Sequence, residues 1–224
     1  MARAPARGRF ITLEGGEGAG KSVQAKRLAT RLRDAGLEVV LTREPGGSEG
    51  AEAIRDVILS GSAARYGAVG EALLFSAARI DHIDETIAPA LARGAWVISD
   101  RFLDSTRAYQ GAGGELDSAL IASLERVAVG ACRPDLTLVL DLPVAEGLAR
   151  ARARRGAAAA DRFEREGPAF HETLRRAFLA IVEAEPERCA VIDARPSEGE
   201  VAAAIWATVR ARLGAALNAA TAKR

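Results

Sequence analysis

A lysine and a serine side by side, Lys21 and Ser22, close a glycine run whose spacing suits the handling of phosphate. The residues Gly15-Gly16-Glu17-Gly18-Ala19-Gly20-Lys21-Ser22 match G-x-x-x-x-G-K-S/T. Glycines at these points let successive backbone N–H groups curl around a phosphate, and a helix beginning near Lys21 adds the positive end of its dipole. Lys21 has the reach for β and γ phosphates, and the Ser22 hydroxyl suits Mg²⁺. The base-reading N-K-x-D of guanine-nucleotide switches is missing, since the one asparagine is Asn218 near the C-terminus.

A second set of cations follows other apolar runs. Arg43-Glu44-Pro45-Gly46-Gly47 comes after one, and Asp100-Arg101-Phe102 after another. In open parallel sheets ligands bind beyond the carboxyl ends of the strands, so these arginines and Lys21 read together as a clamp for two phosphate-bearing molecules. Phe75 and Arg79, four apart on a predicted helix, offer a ring to stack on a base and a guanidinium one turn away. His82, a further turn along, reads as a surface or packing residue. Asp100 and Asp141 both end apolar runs.

The elements that must carry these groups are legible from periodicity. Short apolar runs at 10–13, 38–41, 96–99, 136–140 and 190–192 predict strands, and stretches with helical spacing separate them. Runs without in/out alternation imply strands covered on both faces, so the fold class is α/β: a doubly wound parallel sheet of about five strands, of P-loop NTPase type. The helix after the first strand carries Val23, Leu28 and Leu32 and ends at Gly36. Another runs from Glu71 through Leu74, Ala77, Ala78, Ile80, Ile83 and Ile87 and should kink or stop at Pro89. Asp117 caps a third, with Leu120, Leu124 and Val127, closed by Gly130. The last helix spans 198–217.

Whole-chain numbers exclude several classes. Among 224 residues, 31 basic and 30 acidic side chains leave a net charge of +1, so no global field holds a nucleic acid or an anionic membrane. Two distant cysteines, Cys132 and Cys189, and two histidines, His82 and His171, suggest neither a disulfide framework nor a zinc site. Residues 1–9 lack the apolar core of a secretory signal, and no run approaches the ~18 apolar residues of a membrane span. A single domain over 1–224 in a reducing cytoplasm is expected, with an arginine-rich anomaly at 150–166.

Four runs together resemble the bacterial thymidylate kinase family over nearly the whole chain. They are Phe10 through Gly18, Thr42-Arg43-Glu44-Pro45-Gly46-Gly47, Asp100-Arg101-Phe102 and Ser105-Thr106-Arg107-Ala108-Tyr109-Gln110-Gly111. The resemblance implies phosphoryl transfer from ATP to dTMP with Mg²⁺, and a homodimer. It implies that Phe75 stacks on thymine, that Arg79 and Thr106 or Ser105 face its polar edge, and that Gln110 supports that pocket. Tyr109 then lies under the sugar and disfavours a 2′-hydroxyl, while Glu17 reads the 3′-hydroxyl. Arg43, Arg55 and Arg101 hold or border the acceptor phosphate, and Asp100, favoured over its rival Asp141, lies near the metal beside Ser22. The segment 150–166 corresponds to a mobile lid, whose Arg154, Arg155 and Arg162 replace the arginine that this cradle lacks. Val23 departs from the threonine of many relatives. Two other readings stay open: a P-loop kinase of another metabolite, with Glu14 or Glu17 as base, and a regulatory ATPase switch.

Overall fold

A computed structural model describes residues 7–114, 116–155 and 163–221. Five parallel strands form one sheet in the order β2-β3-β1-β4-β5: β1 (Phe10–Glu14), β2 (Val39–Arg43), β3 (Trp96–Asp100), β4 (Leu136–Asp141) and β5 (Cys189–Asp193). Each expected strand is present, because a run buried on both faces leaves little choice of conformation. All five residues of β1 are buried at the centre of the sheet.

Nine helices fill the connections among the described residues: α1 (Lys21–Asp34), α2 (Glu49–Leu59), α3 (Gly67–His82), α4 (Ala88–Ala92), α5 (Leu103–Thr106), α6 (Ser118–Ala128), α7 (Val144–Arg155), α8 (Pro168–Ala184) and α9 (Glu198–Thr221). One face of the sheet meets α1 and α9 through Leu28, Leu32, Ile205 and Val209; across the other lie Phe10, Ile87, Val97 and Phe102. Both cysteines are free thiols.

Four helix expectations need correction. On α1 the buried stripe is Ala25, Leu28, Ala29 and Leu32, whereas Val23 is exposed beside the cleft described below. Pro89 does not stop its helix: α3 passes into a π segment, Ile83–Ile87, whose wider hydrogen-bond register directly precedes the proline, and α4 continues beyond it. On α6 the cap is as expected, Asp117 accepting from Ala119 N at 2.9 Å, yet Ile121, Glu125 and Ala128 face inward while Val127 is 77% exposed. Of the stripe expected from Glu71 onward, Ala78, Ile83 and Ile87 are buried, but Ala77 and Ile80 are exposed, and α3 also buries Glu71, Arg79 and His82.

Candidate active site

Strand register assembles the site. Asp100 pairs with Arg43 on one side and Leu13 on the other, so the residues leaving β2, β3 and β1 emerge in one row. Backbone bonds extend that row by a step, from Glu44 N to Asp100 O (2.9 Å) and from Arg101 N to Leu13 O (3.0 Å). Beyond it opens a cleft of about 460 Å³, within the range of small-molecule sites.

The cradle lies where the first strand gives way to α1. Gly18 and Gly20 adopt left-handed φ values of 70° and 88°. Gly18 also packs against Gly147 of α7 so closely that a Cβ would fall 2.0 Å from the Gly147 carbonyl oxygen. Lys21 Nζ donates to the carbonyls of Gly15 (3.0 Å) and Gly16 (2.8 Å). Burial and the nearby Arg101 lower the Lys21 pKa to about 8.

Arg101 is the only non-glycine residue at positive φ (73°) among the described residues. Such a conformation persists when the surroundings over-determine it. Here Ser99 Oγ donates to the Arg101 carbonyl (2.7 Å), and Glu14 accepts from the next N–H, that of Phe102 (2.7 Å). The side chain thereby reaches Glu17, donating from Nη2 at 2.7 Å, and lies 5.0 Å over the Tyr109 ring. Tyr109 donates to the same Glu17 oxygen at 2.9 Å. Burial opposes the Glu17 charge, but Arg101 and Lys21 outweigh it and hold its pKa near 2.

Ser22 Oγ bonds Asp100 Oδ2 at the cleft wall. Two hard oxygen donors on neighbouring elements suit Mg²⁺, which keeps waters and substrate phosphates as its remaining ligands. No cluster of three potential metal-binding side chains occurs among the described residues. Asp141, the rival acid, is taken by Arg175 at 2.7 and 3.0 Å.

The cleft is lined by Glu17, Arg43, Arg55, Phe75, Arg79, Arg101, Ser105, Thr106, Tyr109 and Gln110, all expected on the acceptor side, and by Lys21, Ser22, Asp100 and Arg154. Arg43 is engaged by Glu52 at 3.0 Å, and Arg55 donates to Pro45 O at 2.6 Å. The Ser105 and Thr106 alternatives separate: Thr106 accepts from Arg79 (3.1 Å), whereas Ser105 donates to Glu14 (2.6 Å). Of the cradle, Gly18 and Gly20 line the cleft, Gly15 and Gly16 line a smaller hollow beside His171, and Ala19 is buried. Arg155 ends α7 partly buried and outside the cleft lining. Arg162 and positions 156–162 of the expected lid lie outside the described residues.

His82 is a correction and a missed participant. It is wholly buried, 2.7 Å from Thr42 Oγ1 through Nε2 and 3.1 Å from Glu44 Oε1 through Nδ1. Its sequence signal was its place three residues after Arg79, on the same helix face.

The comparisons agree with this geometry. The sequence model described as thymidylate kinase matches residues 13–205. A thymidylate kinase of Afipia carboxidovorans is 55% identical over 215 residues, covering 96% of this chain and 94% of its own. One of Rhodopseudomonas palustris is 56% identical over 211 residues, with 94% and 92% covered. The crystal structure of thymidylate kinase from Ehrlichia chaffeensis superposes with a TM-score of 0.72 at 31% identity, covering 91% of this chain and 99% of that one. With a family model matching 13–205, a matching fold and relatives similar from end to end, the chain belongs to the thymidylate kinase family.

Proposed function

We propose that this cleft transfers the terminal phosphoryl group of ATP to dTMP, giving dTDP and ADP. The observation that carries the reading is that Lys21, Arg101 and the Ser22–Asp100 pair, from separate stretches of chain, line one cleft with Phe75 and Arg79.

The acceptor phosphate is largely ionised near neutral pH, so the nucleophile needs no base. The barrier is repulsion: two unit charges ~4 Å apart oppose each other by about 1 kcal/mol in water and several-fold more in a closed cleft. Lys21 and Arg101 neutralise that charge and hold donor and acceptor in line. Ser22 and Asp100 would hold Mg²⁺, which supplies further neutralisation of the phosphates when bound. Arg154 reaches the same cleft from α7 and acts with Arg155 and the lid on the donor side. Glu17, fixed by Arg101 and Tyr109, faces the acceptor sugar.

The same geometry argues against a kinase that needs a carboxylate base. Glu14 is wholly buried and occupied by the Phe102 N–H and the Ser105 hydroxyl. Glu17, with a pKa near 2, is a weak base. A homodimer is part of the proposal, supported by the apolar stripe Val69, Leu73 and Ile80 left exposed on α3 and by Val127 on the adjacent α6. No helix among the described residues is long and apolar enough to cross a membrane, and a cytoplasmic location is part of the same proposal.

The test is ADP release from Mg-ATP against a panel of nucleoside monophosphates. We expect release that depends on dTMP, and turnover about a hundredfold or more lower in Lys21→Ala and Arg101→Ala, both still folded by circular dichroism. Acceptor-independent hydrolysis would favour the regulatory switch, and near-native turnover in both variants would remove the clamp.

A further inference from the structure

We propose that His82 is a positioning residue for the choice of base, acting through Glu44 to fix the guanidinium of Arg79. The inference rests on the dTMP reading above.

The argument begins with the donors of Arg79. Of its five N–H bonds, Nε donates to Glu44 Oε2 at 2.7 Å, and Nη2 is also 2.7 Å from that oxygen. Nη2 donates further to the Phe102 carbonyl at 3.1 Å, and Nη1 to Thr106 Oγ1 at 3.1 Å. One N–H on Nη1 is left over, on a side chain that lines the cleft with Phe75. The Thr106 oxygen accepts from Arg79, so its own hydrogen is free to donate. Both groups therefore present hydrogens, and a base edge bearing a carbonyl oxygen satisfies them. An exocyclic amino group at that place would set donor against donor.

This holds only while Arg79 cannot turn, and its orientation depends on Glu44. Arg79 and Glu44 are 4% and 6% exposed, so water does not replace a lost partner. A carboxylate only accepts, so His82 Nδ1 carries the hydrogen given to Glu44 Oε1, and in the neutral ring Nε2 is then left to accept from the Thr42 hydroxyl. Donation thus runs from Thr42 to His82 to Glu44, which Arg79 meets from the other side. Gly47, at φ 94°, closes over this chain: a Cβ there would lie 2.4 Å from both His82 Nε2 and Thr42 Oγ1. The motif's Thr42, Glu44 and Gly47 are all accounted for by seating His82 and Arg79.

The test compares kcat/KM for dTMP and dCMP, whose bases carry a carbonyl oxygen and an amino group at the same ring position. An asparagine amide nitrogen can stand where Nδ1 stands and keep the bond to Glu44, whereas a glutamine amide reaches toward Thr42 instead. In His82→Gln we expect the dTMP preference to fall about tenfold or more, through a raised KM for dTMP with kcat largely kept. In His82→Asn the preference should stay within about threefold of native. A native preference in folded His82→Gln, or an equal loss in both variants, overturns the role of His82. Should His82→Gln fail to fold, Thr42→Val breaks the same chain one bond earlier. It should lower the preference, and a native ratio there overturns the proposal. A native enzyme with no preference for dTMP would instead overturn the reading of the site beneath it.

Discussion

Glu14 and Glu17 stand three residues apart and are held in opposite charge states. Burial and the neighbouring Asp104 raise the Glu14 pKa to about 8, while Arg101 and Lys21 keep Glu17 ionised against its burial. In the folded chain Glu14 keeps its proton up to about pH 8; unfolded, it releases it near 4.5. Between those limits the folded state binds the extra proton, so this contribution is full below pH 4.5 and is lost as pH rises through 8. The loss is on the order of a few kcal/mol. Chemical denaturation at pH 5 and pH 8 should show native stability falling and Glu14→Gln falling less; an identical decline in both would sink the assignment. The cradle residues were legible because their spacing repeats a known mechanism. Glu14 and His82 were not, since their partners come from β3, α5 and β2, and spacing along one helix does not reveal a buried polar partner from another strand.

Elements show the same division. The strands were readable to within two residues because burial on both faces writes an uninterrupted apolar run. The faces of α3 and α6 were misjudged because periodicity reports an apolar stripe without saying what covers it. On α3 the inward face carries Glu71, Arg79 and His82 beside Ala72, Ser76 and Ala78, and part of the expected stripe, Ala77 and Ile80, points out. A related surprise lies in α5, where wholly buried Asp104 binds Arg188 at 2.7 and 2.9 Å and Arg107 at 3.2 Å. This cluster ties the segment bearing Arg101 and Tyr109 to the start of β5. Without Asp104, Arg188 keeps Glu185 and Arg107 keeps Glu125 and Glu185, so Asp104→Ala should lose about 2–3 kcal/mol, the cost of the charge-assisted bonds it makes. Urea unfolding measures it, and a loss under about 1 kcal/mol would mean that solvent already carries the pair.

For the molecule as a whole, the outward stripe of α3 and Val127 predict self-association. A double change of Leu73→Asp and Val127→Asp puts charge where apolar surface would be covered. Sedimentation should show native dimers and variant monomers, the variant folded; native monomers at micromolar concentration would refute the interface. The contact between Gly18 and Gly147 has a consequence for communication across the molecule. With no side chain at either position, backbone rests on backbone, and α7 runs from there as a stiff rod to Arg154, seven residues and about 10 Å farther on. A displacement of the loop by a fraction of an ångström therefore tilts a lever whose far end carries Arg154 at the cleft wall.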